Sequence, residues 1–200
     1  MPSELFLASS NQGKLAEFLA MSRLAHAQNH PLNLSLLPNF PSLPTFEETA
    51  PTFAENAAGK ALHYSQFSDA LVVADDSGLV VPTLGGRPGV RSARYAGPAA
   101  TDQQRNEKLL QEMASLTGQA RRAHFVCAIA AAQHGRAIAI VTARVDGEIL
   151  HHAQGTSGFG YDPIFFVNKL EKSFAELSAD QKNLLSHRGH AFRRLLQVLQ

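Results

Sequence analysis

Two apolar runs, LFLA at residues 5–8 and LVVA at 71–74, each stop abruptly at polar residues, and no other feature restricts the chain as strongly. A short uninterrupted apolar run bounded by polar or turn residues is the pattern of a strand buried on both faces, as in a parallel sheet covered by helices. The residues between the runs fit that architecture. After SSNQGK, Leu15, Phe18, Leu19 and Ala25 fall near helical spacing. The stretch 31–51 carries five prolines, which exclude a helix and predict a short strand followed by an irregular loop. Thr52 and Glu55 then stand at capping-box spacing, and Phe53, Ala57, Ala61 and Tyr64 share one face of the helix they start. The chain therefore opens with two βα units.

The second half changes character. Thr101 and Gln104 form another capping pair ahead of a stripe of Leu109, Leu110, Met113 and Leu116. Residues 122–150 are rich in alanine and β-branched residues and are broken by QHGR and DG, which predicts strands joined by hairpin turns. GTSGFGYDP is a glycine-rich loop leading into a short strand, IFFV. Ser178 and Gln181 make a third capping pair, and Ala191, Phe192, Leu195, Leu196 and Leu199 stripe a last helix. The class is α/β with a mixed sheet and flanking helices. Two hundred residues at 44% hydrophobic composition suit one domain, residues 1–200.

Bulk charge narrows the function classes. A formal net charge of +1 gives no broad reason to bind nucleic acid or an anionic membrane, so a phosphate ligand would have to be held locally. The N-terminal residues lack the basic and apolar regions of a signal peptide, and no apolar run approaches membrane-spanning length, so the cytoplasm is the expected compartment. The single cysteine, Cys127, lies in an apolar stretch that reads as core. His26 and His30 are four apart but lack the glutamate of a zinc-protease helix, and His187 with His190 has no third ligand in view.

The polar residues at strand ends carry the chemistry. Asp75 and Asp76 repel each other unless a cation, hydrogen-bond donors or water compensates them. With Glu47 and Glu48 of the FEET stretch they offer hard oxygen ligands suited to magnesium. Asp76 with Ser77 and Gly78 also reads as a simple turn. Lys14 closes a loop entering a helix, where Ser9, Ser10, Asn11 and backbone N–H groups can face one anion, although the Walker pattern is absent. Lys60 follows Asn56 by one helical turn, a pair that is usually solvated. Phe159 and Tyr161 suit stacking on a base and Asp162 suits its edge, while the alternative is a folded loop whose aromatics return to the core. His187 and Arg188 open the last helix, where exposed cations oppose the helix dipole.

SSNQGK, FAENAAGKA, ADDSGL, GGRPGVRSARYAG, GFGYDPIFF and SHRGHA, in this order along nearly the whole chain, resemble the inosine triphosphate pyrophosphatase family, which removes non-canonical purine nucleotides. The resemblance implies an elongated fold of two lobes around a central cleft, a homodimer, magnesium dependence, and hydrolysis of dITP, ITP or XTP to the monophosphate and pyrophosphate. It implies Asp76 as proton acceptor and metal ligand, with Asp75 beside it and Glu48 completing the metal site. Ser9, Ser10, Asn11, Gln12, Gly13 and Lys14 would hold the triphosphate with Lys60 and Ser77. Phe159, Gly160, Tyr161 and Asp162, with Lys182, His187 and Arg188, would surround the base. Two other readings stay open: the same chemistry on other modified nucleotides, and a non-catalytic nucleotide sensor, which would not need both aspartates.

Overall fold

The computed structural model describes residues 4–27 and 33–200. The side chain of His26, all of His30, and residues 1–3, 31 and 32 lie outside that description, so the histidine pair and the first residues of the proline-rich stretch are not placed.

Strands β1 (Glu4–Leu7), β2 (Asn33–Leu36), β3 (Leu71–Val80), β4 (Arg122–Gln133), β5 (Arg136–Ile149), β6 (Phe165–Val167) and β7 (Lys172–Ser173) form one sheet in the order β2-β1-β3-β4-β5-β6-β7. β1 runs parallel to both β2 and β3, whereas β5–β6 and β6–β7 are antiparallel, so the sheet is mixed. Helices α1 (Gln12–Ala27) and α2 (Phe53–Tyr64) make the two crossovers of the parallel part; α3 (Asp102–Glu112), α4 (Ala179–Leu185) and α5 (His187–Val198) complete the helices.

All three predicted helix starts form at the expected residue. Thr52 accepts from Glu55 N, and Thr101–Gln104 and Ser178–Gln181 close full capping boxes. The β4–β5 hairpin turns at His134 and Gly135, whose φ values of 49° and 71° supply the two left-handed residues of a type I′ turn. The predicted break at DG is corrected: Asp146 and Gly147 lie inside β5. Gly147 is there because β6 passes close, since a Cβ would stand 2.4 Å from the Phe166 carbonyl oxygen.

Two compact units are built from this chain, one from Met1–Asp76, Cys127–Ala143 and His187–Gln200, the other from Ser77–Val126 and Arg144–Ser186. In the first, the strand period of two divides the core. Leu71 and Val73 of β3 pack in one cluster with Phe18 of α1 and Phe192 of α5; Val72 and Ala74 pack in another with Ala57 and Ala61 of α2. Phe18 and Phe192, both essentially inaccessible, meet edge to face at 5.5 Å. Truncating either to alanine would cost about 3–5 kcal/mol. The second unit has its own core, centred on Phe125, Phe165 and Phe174.

Candidate active site

β3 does not end where its charge begins. Asp75 and Asp76 are strand residues, as are Ser77 and Gly78, so both the strand boundary at residue 74 and the turn reading of Asp76 are corrected. The strand continues because each carboxylate finds partners on its own face. Asp75 follows Leu71 and Val73 toward α1 and α5; Asp76 follows Val72 and Ala74 toward α2.

On the first face, Ala8 N donates to Val73 O at 2.8 Å, which sets the loop after β1 beside the end of β3. Asn11 Oδ1 accepts from Lys14 N at 3.0 Å and caps α1, so Gln12, Gly13 and Lys14 form its first turn rather than the end of a loop. Ser9 is buried and its Oγ accepts from Asn11 N at 3.3 Å, while Ser10, Asn11 and Gln12 are exposed. Lys14 Nζ reaches Asp75 Oδ2 at 2.9 Å. The same oxygen lies 3.5 Å from Arg188 Nε and 4.0 Å from Cys127 Sγ. Arg188 also pairs through Nη1 with Glu17, one turn along α1 from Lys14.

Burial alone would raise the Asp75 pKa, but Lys14, Arg188 and Lys60 outweigh it and hold the carboxyl well below its usual range. Arg188 is fully buried; burial opposes its charge, and Glu17 and Asp75 more than restore it. His187 and Arg188 do begin α5, but both are buried, so the expectation of exposed cations there is corrected. Cys127 is core, as expected; burial and then Asp75 push its thiol pKa far up, which leaves it unreactive.

On the second face, Asn56 Nδ2 donates to Asp76 Oδ2 at 2.9 Å. Asn56 also accepts from Ala50 N at 2.9 Å and donates to Ala50 O at 3.3 Å, tying the FEET loop to α2. Phe46 of that loop lies against Gly59, where a Cβ would come within 2.5 Å of its ring. One turn beyond Asn56, Lys60 pairs with Glu48, which brings that glutamate of the FEET loop beside the lysine. Asn56 is 1% exposed, so the expectation of a solvated Asn56–Lys60 pair is overturned. Burial, followed by the nearby Glu48 charge, pushes the Asp76 pKa up to about 6, against the opposing pull of Lys14, Asn56 and Lys60. Lys60 is raised, because Asp75, Glu48 and Asp76 overcome the effect of its burial. Lys14, Lys60, Glu48, Asp75 and Asp76 thus form one interacting group within the first unit.

Among the described residues, no cluster of three or more His, Cys, Asp or Glu side chains is arranged to hold a metal by itself. Magnesium needs fewer, since one or two carboxylates, waters and substrate phosphate oxygens complete its shell. Glu48 and Asp76, with like charges close enough to raise the Asp76 pKa, are a donor set that fits such a cation. Asp75 is occupied by Lys14 and Arg188.

The glycine-rich loop belongs to the second unit, as does Ser77, half-buried in β3. Asp162 is 2% exposed; its Oδ2 accepts from Phe159 N at 2.8 Å and pairs with the buried Lys182, whose ammonium lies 4.7 Å from the Phe159 ring centroid. Tyr161 is buried and donates its hydroxyl to Ser92 O at 2.9 Å, so its aromatic ring has returned to the core. Phe159 is half-buried, and Gly160 follows with φ 64°. Sequence reasoning missed Asn56 and Glu17 as members of the site; an asparagine or glutamate on a helix carries no signal until the helix is docked.

A sequence model of the Ham1 family matches residues 5–198. A dITP/XTP pyrophosphatase of Bacillus anthracis is 43% identical over 194 residues, covering 96% of this chain and 94% of that protein. One from Geobacillus kaustophilus is 44% identical over 192 residues, covering 96% and 92%. Among solved structures, a HAM1 protein from Coxiella burnetii superposes with a TM-score of 0.85 at 40% identity, covering 98% of both chains. The relatives make the chain a hydrolase of the nucleoside triphosphate pyrophosphatase class, with these carboxylates and lysines gathered on its open α/β sheet. The chain belongs to the Ham1 family.

Proposed function

We propose that this protein hydrolyses non-canonical purine nucleoside triphosphates, dITP, ITP and XTP, to the monophosphate and pyrophosphate, with Asp76 as the base that takes a proton from the attacking water. The observation that carries the reading is the environment of Asp76, a buried carboxylate with a pKa near 6 beside Glu48, Lys14 and Lys60. In the metal-free protein a carboxylate with that pKa is ionised at neutral pH and more basic than an ordinary aspartate. Its position fits the class of the relatives, and their printed substrates, dITP and XTP, support the substrate choice.

Glu48 and Asp76 would hold magnesium, which when bound would polarise phosphate oxygens and offset charge on the leaving pyrophosphate. Lys14, Lys60, Ser77 and the capped start of α1 with Ser9 to Gly13 would bind the triphosphate, the ammonium groups exchanging Asp75 and Glu48 for phosphate oxygens in part. Asp75 orients Lys14 and Arg188. Phe159, Gly160 and Lys182 would meet the base. A 6-oxo purine offers an acceptor where adenine offers an amino donor, so a cationic donor rewards the first and is left unpaired by the second. His187 completes this set by resemblance. The same resemblance supports a cytoplasmic homodimer that does not bind nucleic acid.

The test is pyrophosphate release from a panel of purine, pyrimidine and modified triphosphates, with and without magnesium. We expect turnover of dITP, ITP and XTP at least about a hundredfold above ATP, and none without a divalent cation. Equal turnover of ATP, or preference for a modified pyrimidine, would overturn the substrate assignment; binding without turnover would mark a sensor.

A further inference from the structure

Gly160 is held by α3 through both peptides that flank it. Its N–H donates to Asp102 Oδ2 at 2.6 Å, and its carbonyl accepts from Asn106 Nδ2 at 3.1 Å. The two side chains are one helical turn apart, so together they reach the N–H and the carbonyl of one residue. Asp102 is itself steadied: its other oxygen pairs with Arg105, which also donates to Ala93 O at 3.0 Å. Asn106 is buried, and its Oδ1 has no donor within hydrogen-bonding distance among the described residues. An orphaned buried acceptor costs stability, so packing alone does not account for an asparagine here.

The rest of the loop is fastened to other elements. Asp162 closes it internally through Phe159 N, Tyr161 anchors it to Ser92, and Ser157 N donates to Ala175 O at 3.0 Å. Gly160 directly follows Phe159, and its φ of 64° lies in the left-handed region. A residue there has no regular ladder to hold it, and the α3 contacts fix the orientation of both flanking peptides, the first of which joins Gly160 to Phe159.

We propose that Asp102 and Asn106 are positioning residues for base recognition: they hold the two peptides flanking Gly160 so that Phe159 and Gly160 present a fixed surface to the purine. This rests on the reading that the glycine-rich loop meets the base.

The experiment compares Asp102→Ala, Asn106→Ala, Asp102→Asn, Phe159→Ala and Thr101→Ala. Thr101→Ala removes the N-cap of the same helix without touching Gly160. For Asp102→Ala and Asn106→Ala we expect KM for dITP and XTP to rise about tenfold, the scale of one lost charge-assisted contact, with kcat within about twofold. The inhibition constant for pyrophosphate, which lacks a base, should not move. Asp102→Asn keeps an acceptor for Gly160 N–H and should recover most of the affinity. Thr101→Ala should lower thermal stability and leave KM alone. If Phe159→Ala changes base preference while Asp102→Ala and Asn106→Ala match the parent, the positioning role is overturned and the loop keeps its function. If Phe159→Ala leaves base preference unchanged, the loop does not read the base and the inference falls with that reading. Equal KM changes in Thr101→Ala and Asp102→Ala would reduce the effect to helix stability and overturn it as well.

Discussion

Asp75 and Asp76 are neighbours in one strand and face opposite sides of it: Asp75 accepts from Lys14 at 2.9 Å, and Asp76 accepts from Asn56 at 2.9 Å. The alternation of β3 therefore sends two identical side chains into opposite electrostatic environments, one held ionised and one raised toward neutrality. Their substitutions should move stability in opposite directions. Asp76 has a folded pKa of about 6 against an ordinary 3.8, so its contribution is fully present below about 3.8 and is lost as pH rises through 6. In metal-free protein, Asp76→Asn should be more stable than the parent by about 1–3 kcal/mol at pH 8, with the gain vanishing below about pH 4. Asp75 has a depressed pKa, so its stabilisation is present above the ordinary value and lost only in strong acid. Asp75→Asn removes the carboxylate that Lys14 and buried Arg188 share, leaving Arg188 with Glu17, and should cost about 3 kcal/mol at neutral pH. Urea unfolding in the presence of a chelator checks both.

Glu48 is the charge that, after burial, does most to raise Asp76. Glu48→Gln removes it and should lower the Asp76 pKa in metal-free protein, which a carboxyl carbon NMR titration reads directly. An unchanged Asp76 titration would show that Glu48 does not act on it.

Asn56 joins three partners, Asp76 and the backbone N–H and carbonyl of Ala50. Asn56→Ala removes a donor from a buried carboxylate and loosens the loop bearing Glu48. It should cost about 1–3 kcal/mol of stability and raise the Asp76 pKa, since one hydrogen bond that lowers it is gone. A carboxyl carbon NMR titration of the metal-free variant should accordingly place the Asp76 midpoint at higher pH than in the parent.

Much of this was legible in the sequence where the cause is local. Capping pairs at Thr52, Thr101 and Ser178 satisfy backbone groups within one turn, so spacing alone located three helices. The apolar runs and helical stripes set the parallel opening and the antiparallel second half. The misreadings arise where a distant partner decides. Asp75 and Asp76 look like the end of a strand until α1, α5 and α2 supply cations and an amide on either face. Arg188 looks exposed at a helix start until Glu17 and Asp75 meet it. The DG at 146–147 has a turn's composition, yet Gly147 serves the close approach of β6. Asn56 was visible only as a residue next to a lysine on a helix, because its role depends on the strand and loop it bridges.

The central claim is that Asp76 is the base, and the most direct measurement is pyrophosphate release by Asp76→Asn alongside triphosphate binding by the same variant. We predict a kcat lowered by about a thousandfold or more, with binding through Lys14 and Lys60 retained within about tenfold. Turnover equal to that of the parent chain would contradict the account.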